Sequence, residues 1–231
     1  MRRVFRLYRS TVGRKFVMAA TGIVLYGFVF IHMVGNLKIY QGPEKFNAYA
    51  QFLREVGYPA LGHEQALWIF RIVLLAAVGL HIWSATTLTL LSWQARSTAY
   101  KKKDSLVFSY ASRTMRWGGV LLAAFVIYHL LHLTLGSVHP QFEHGSAYDN
   151  VVLGFQVWPV ALFYVLCMIP LGLHMYHGLW SMTQTLGIEN PWVRKWRRPV
   201  AAVIALLVML GNLSIPLLEL AGVVRVSSGL G

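Results

Sequence analysis

Apolar stretches long enough to cross a bilayer recur five times along the chain, at about residues 15–37, 65–93, 115–137, 152–186 and 199–223. About 20 such residues are what a helix needs to span the hydrocarbon core. Lipid offers the backbone no hydrogen-bond partner, so each run must close its own bonds as a helix. The expected fold is therefore all-α: an integral membrane bundle of five transmembrane helices, forming one domain over 1–231. The second and fourth runs exceed what the bilayer requires and are expected to tilt or project beyond it. Between the first two runs, "KIYQGPEKFNAYAQFLREVGYPALGHE" carries a Gly-Pro turn and then an amphipathic segment at about 43–57. That segment reads as a short helix lying at the interface.

Charge agrees with this class. Only 13% of residues are charged, where a soluble domain carries about 25%. A formal charge of +13 would suggest nucleic acid in a soluble chain. Here the basic residues cluster between apolar runs, where topology and anionic lipid explain them, so no nucleic-acid partner is expected. Sixteen of the 21 Lys and Arg fall in the N-terminal stretch, the 94–116 link and the 187–198 link, leaving Lys38, Lys45, Arg54, Arg71 and Arg225 on the other side. That excess places the N-terminus and the second and fourth connections in the cytoplasm and the C-terminus outside. The basic start runs directly into a full span without a small-residue cleavage site, so no cleaved signal is expected. Cys167 is the only cysteine, which excludes a disulfide framework, covalent haem attachment through C-x-x-C-H, and an iron–sulfur cluster.

The histidines carry the chemistry. Of nine, His63, His139 and His144 fall in expected loops, while His32, His81, His129, His132, His174 and His177 fall within spans. At ~1.5 Å rise per residue, His32 lies about 8 Å and His129 about 12 Å from the outer ends of their helices. His81 and His174 each lie about 18 Å from the cytoplasmic ends of theirs. Depth therefore sorts them into an outer pair, His32 with His129, and an inner pair, His81 with His174. Opposed imidazoles at one level on different helices are what an axially ligated haem b requires. The bland alternative is a set of hydrogen-bonded core histidines. A proton or ion pathway would bring intramembrane carboxylates, yet the spans hold only Glu219, near an outer end. His132 and His177 each sit three residues beyond a ligand candidate on nearly the same face, and spacing does not choose within either couple.

The stretches "FVFIHMVGN", "EKFNAYAQFL", "LLAAVGLHIW", "FVIYHLLHL" and "LHMYHGLWS", in this order, resemble the five-helix, two-haem cytochrome b membrane subunit of succinate:quinone oxidoreductases, the succinate dehydrogenases and fumarate reductases. The resemblance implies one iron ligand from each of the first four helices, on His32, His81, His129 and His174, with His177 where a non-ligand occurs. It implies two haem b, and partners on the cytoplasmic face: a flavoprotein subunit that oxidises succinate and an iron–sulfur subunit that carries its electrons. This chain would anchor both in a bacterial cytoplasmic (inner) membrane and pass electrons to quinone, with menaquinone expected. It would thus be an enzyme subunit linking the tricarboxylic acid cycle to the respiratory chain. The sequence itself calls for such partners, because it has neither a dinucleotide fingerprint nor cluster cysteines to take electrons from a substrate. Some fumarate-linked relatives carry a glutamate two residues before the fourth-helix ligand; here that position is Gly172, so the direction of the reaction stays open.

Several cations are candidates for haem propionates or quinone. Arg71 lies inside the outer end of the second span, where a guanidinium can bind a carboxylate bidentately or simply snorkel to the interface. Arg113 and Arg116 begin the third span where inner propionates would emerge, although topology alone would put arginines there. His177 is a candidate of the same kind, and Ser10, Arg14 and Lys15 are weaker ones. Trp93, Trp117, Trp192 and Trp196 read as an interfacial belt. The competing functions are a haem b anchor of a hydrogenase or formate dehydrogenase, and a haem-free polytopic transporter.

Overall fold

The computed structural model describes residues 10–95 and 110–227, with side chains from 114 onward in the second segment. The basic residues before Ser10, those of the 96–109 link and the Arg113 side chain lie outside the described residues. The described residues form seven α-helices and no strand: α1 (Thr11–Asn36), α2 (Pro43–Glu55), α3 (Gln65–Gln94), α4 (Tyr110–His129), α5 (Ala147–Gln156), α6 (Trp158–Thr185) and α7 (Pro191–Leu220). Among the described residues, α1, α3, α4, α6 and α7 are long and apolar enough to cross a membrane. At ~1.5 Å per residue, the 30 residues of α3 and of α7 make rods of about 45 Å, longer than the ~30 Å core.

Local chemistry sets the ends. Ser10 accepts the Gly13 amide at 3.0 Å and starts α1. After the tight 3₁₀ turn Leu37–Gln41, Gly42 at φ +91° reverses the chain, and Pro43 opens α2 at a position where a missing N–H costs nothing. α4 ends in one wider π turn, Leu130–Thr134, short of the expected boundary at 137. The run expected as a single span over 152–186 is two helices broken at Val157, whose ψ is 95°. Pro159 has no N–H to offer the carbonyl four residues back, and its ring collides with that carbonyl. α7 starts at Pro191 rather than 199, because the Asn190 side chain accepts the Val193 amide at 2.8 Å and caps it. The basic first turns hid that start from a reading of apolar runs.

α1 packs on α3, α4 packs on α6, and α6 packs on α7, while α1 also reaches α6 and α7. α3 and α4 do not pack closely on each other. The four helices α1, α3, α4 and α6 thus stand at the corners of a square, with α7 outside the α1–α6 side. One end of the bundle, here called basic, carries Arg14, Arg116 and Arg194–Arg198. The other is capped by α2 and α5. The lateral surface exposes large apolar residues such as Phe16, Ile69, Ile72, Trp83 and Leu207, a covering suited to lipid and not to water.

The cap is held by specific bonds. α2 lies down on α1 because Gly35 has no side chain, and a Cβ there would sit 2.5 Å from Tyr49 Oη. Asn47 accepts the Tyr148 amide at 2.9 Å, joining α2 to α5. Tyr148 donates its hydroxyl to Arg225 O at 3.0 Å. Burial pushes its phenol up, with the carboxylates of Glu219 and Asp149 adding to the effect. Asp149 accepts the Ser227 amide at 2.9 Å and the hydroxyls of Ser227 and Ser146 at 2.8 and 2.9 Å. Each bond to a charged acceptor contributes about 1.5–3 kcal/mol. Asp149→Ala is therefore expected to release the C-terminal tail, read as faster proteolysis after Val226 with the transmembrane bundle intact.

Candidate functional site

The square brings the span histidines together across both of its diagonals. His32 of α1 meets His129 of α4 with ring centres 5.8 Å apart and planes at 88°. His81 of α3 meets His174 of α6 at 6.2 Å and 59°. An imidazole nitrogen sits about 2.0 Å from the metal it binds, so the ring centres of two trans imidazoles on one ion lie about 6 Å apart. Thr21, level with His81, is eleven residues from His32 on α1, so the two pairs are stacked about 16 Å apart. Among the described residues no three His, Cys, Asp or Glu side chains cluster as a metal site. Pairs of opposed imidazoles suit an ion whose remaining ligands come from a macrocycle.

Hydroxyl groups from neighbouring helices hold one histidine of each pair. Thr21 Oγ1 donates to Val17 O at 2.7 Å, so its oxygen accepts from His81 Nδ1, 3.1 Å away. That leaves the proton of His81 on Nδ1 and its Nε2 lone pair free, the state a ligand needs. Tyr164 Oη lies 3.3 Å from His129 Nδ1 and 3.1 Å from His132 Nδ1. His132, 2% exposed, is stacked between Tyr128 (5.5 Å, 18°) and His139 (5.0 Å, 19°). Both of its faces are thus covered by stacked rings, whereas His129 has one stacked neighbour, Phe125, and meets Tyr164 and His32 edge-on. His139, expected in a loop, is a buried structural residue: its Nε2 donates to Asn150 O at 2.9 Å and its Nδ1 accepts the Gln141 amide at 3.2 Å. Thr21 and Tyr164 escaped the sequence reading. The depth rule that paired the histidines reaches both, since Tyr164 lies ten residues from His174 along α6.

At the His81–His174 pair and on its basic side, several buried polar atoms have no hydrogen-bond partner among the described residues. They include Arg14 Nε, Ser84 Oγ, His174 Nδ1, His177 Nδ1 and Trp180 Nε1. Ser84, fully buried, and His177 each sit one turn from their pair's histidine, and Trp180 packs its ring against His177 at 5.0 Å. Buried polar atoms are nearly always hydrogen-bonded, so a group of orphans marks a place for an outside partner. Hydroxyl, indole N–H and guanidinium are donors, which suits acceptor-only carboxylates. Gly22 and Gly119 bring backbone to the same pair: a Cβ would lie 3.6 Å from His81 and 3.9 Å from His174, respectively. Opposed imidazoles, close glycines and an orphaned donor set together fit haem b with its propionates toward the basic end.

The remaining candidates are placed as follows. Arg71 lies at the level of the His32–His129 pair, stacked 4.9 Å over Trp68 of its own helix. Arg116 is exposed and stacks 5.3 Å over Trp93, bridging the loose α3–α4 seam at the basic end. Gly172 faces α7, where a Cβ would lie 2.8 Å from Met209 Sδ, so a larger side chain there would have to displace Met209. Glu219 is 3% exposed, with neither carboxylate oxygen partnered.

This is the architecture of a helical membrane protein whose interior is organised around two histidine pairs. The family model of the succinate dehydrogenase/fumarate reductase transmembrane subunit matches residues 94–211, just over half of the chain, and the chain belongs to that family. No curated protein and no solved structure matches it. The matched region carries α4 through most of α7, and so His129, His132, His174 and His177, while His32 and His81 lie outside it. The chain is thus a cytochrome b-type membrane anchor of a succinate dehydrogenase or fumarate reductase.

Proposed function

We propose that this chain binds two haem b and carries electrons between an iron–sulfur partner and membrane quinone. The observation that carries the reading is the meeting of four histidines from four helices across both diagonals, at separations that would let each pair hold one haem iron. In this reading His81 and His174 hold the haem nearer the basic end, and His32 and His129 the one nearer the cap. Haem supplies a one-electron carrier at each level. The chain's own residues orient the ligands through Thr21 and Tyr164, shield them from water with apolar helix faces, and neutralise propionates. Ser84, His177, Trp180 and Arg14 would be donors for the basic-end propionates, joined by Arg116, which stacks on Trp93 at the seam; Arg113 remains a candidate from its sequence position alone. Arg71 serves the capped-end haem or a quinone beside it.

The excess of Lys and Arg supports a cytoplasmic basic end and an outer cap, in a bacterial cytoplasmic membrane. A flavoprotein and an iron–sulfur subunit would then dock on the basic end. Two carriers stacked across the bilayer suit exchange with a low-potential quinone, and menaquinone is the expected one. Family membership favours this over a hydrogenase or formate dehydrogenase anchor and over a haem-free transporter. Purification of the tagged chain from native membranes tests the assembly: a flavoprotein with bound flavin and an iron–sulfur subunit are expected to copurify. A nickel–iron partner, or no redox partner, would contradict it.

A further inference from the structure

We infer that Tyr164 is the positioning residue of the capped-end pair, fixing the ring orientation of His129 and thereby lowering the reduction potential of the haem held there. The inference rests on the two-haem reading. A phenol has one proton to donate. Its oxygen stands between two Nδ1 atoms, 3.3 Å from His129 and 3.1 Å from His132, so it can donate to only one of the two rings. A neutral imidazole that binds metal through Nε2 keeps its proton on Nδ1. Donation therefore runs from His129 Nδ1–H to Tyr164 Oη, and from the Tyr164 hydroxyl to His132 Nδ1.

The far end of this chain is rigid. His132 is clamped between Tyr128 and His139, and His139 is fixed on both nitrogens by Asn150 O and the Gln141 amide. α5 approaches closely at Gly154, where a Cβ would lie 2.8 Å from His132 Cε1 and 3.1 Å from His139 Nε2. The hydroxyl is thus held from the cap, and with it the plane of His129. An acceptor on the outer nitrogen makes the inner one a more basic ligand, which favours the oxidised metal and lowers the potential. The other pair has its own device in Thr21, on a different helix, so the two levels are tuned separately.

The test is a redox titration of the purified complex, followed by visible absorption, comparing the wild type with Tyr164→Phe. The capped-end component is assigned as the one missing from His32→Ala. Tyr164→Phe is expected to keep both haems and to move that component alone to higher potential. Unchanged potentials with both haems bound, or a shift confined to the other component, would overturn the inference. Should Tyr164→Phe fail to assemble, His132→Phe takes its place. It preserves stacking and the phenol but removes the acceptor for the phenol's proton, so a smaller upward shift of the same component is expected. No shift, or loss of that haem, would overturn the inference. A wild-type complex without haem would bring down the two-haem reading and this one with it, and that failure is visible before any substitution is made.

Discussion

His81→Ala and His174→Ala are each expected to leave the purified complex with one haem instead of two. The imidazoles stand 6.2 Å apart across the α3–α6 diagonal, and no third histidine can replace either without a turn of helix moving. His177 is the nearest substitute, but it lies three residues further along α6, beside Trp180. Removing a group that merely orients a ligand costs about 10–100-fold in metal affinity, so removing the ligand itself should empty the site. Succinate-to-quinone electron transfer should fall on the order of 100-fold or more, since the carrier nearest the basic end is lost. Docking of the soluble partners should weaken as well, because Arg14, Ser84, His177 and Trp180 would lose the propionates proposed as their partners. A pyridine haemochrome assay against protein content gives the count, and copurification gives the docking. Two haems retained in either variant would exclude that residue as a ligand.

The second large effect separates neighbours. His129→Ala should remove the capped-end haem, whereas His132→Ala should keep both. The difference lies in what covers each ring. His132 has Tyr128 on one face, His139 on the other and Gly154 at its edge, which leaves no approach for a macrocycle. His129 faces His32 across the diagonal. His132→Ala instead opens a cavity and leaves the Tyr164 hydroxyl without its acceptor, a loss of about 2–4 kcal/mol in stability. Thermal unfolding and haem content, measured together, check both halves. Loss of a haem in His132→Ala but not in His129→Ala would reverse the assignment.

The spans were legible in the sequence because bilayer thickness and helix rise fix how long an apolar run must be. The pairing of levels was legible for the same reason: counting residues along rigid rods gives depth. Signals that act through a single residue were missed. Pro159 splits one apolar run into α5 and α6 without changing its hydropathy. Asn190 and Pro191 start α7 inside a basic stretch that carries no apolar pattern. Which side of a helix faces which neighbour depends on packing, so Thr21, Tyr164, Ser84 and the structural role of His139 emerged only with the bundle assembled. Arg116 shows the same gap: its depth was predictable, but its stacking on Trp93 across the seam was not. Gly172, noticed as a missing glutamate, turned out to be where α6 and Met209 of α7 touch.

Whether the four histidines hold haem is decided by the haem content of the purified wild-type complex, taken with its reduced-minus-oxidised spectrum. Two b-type haems per chain and a reducible α-band with two potentials are expected. A preparation with intact helices and no haem, or with one haem that survives loss of either histidine pair, would contradict the two-haem reading.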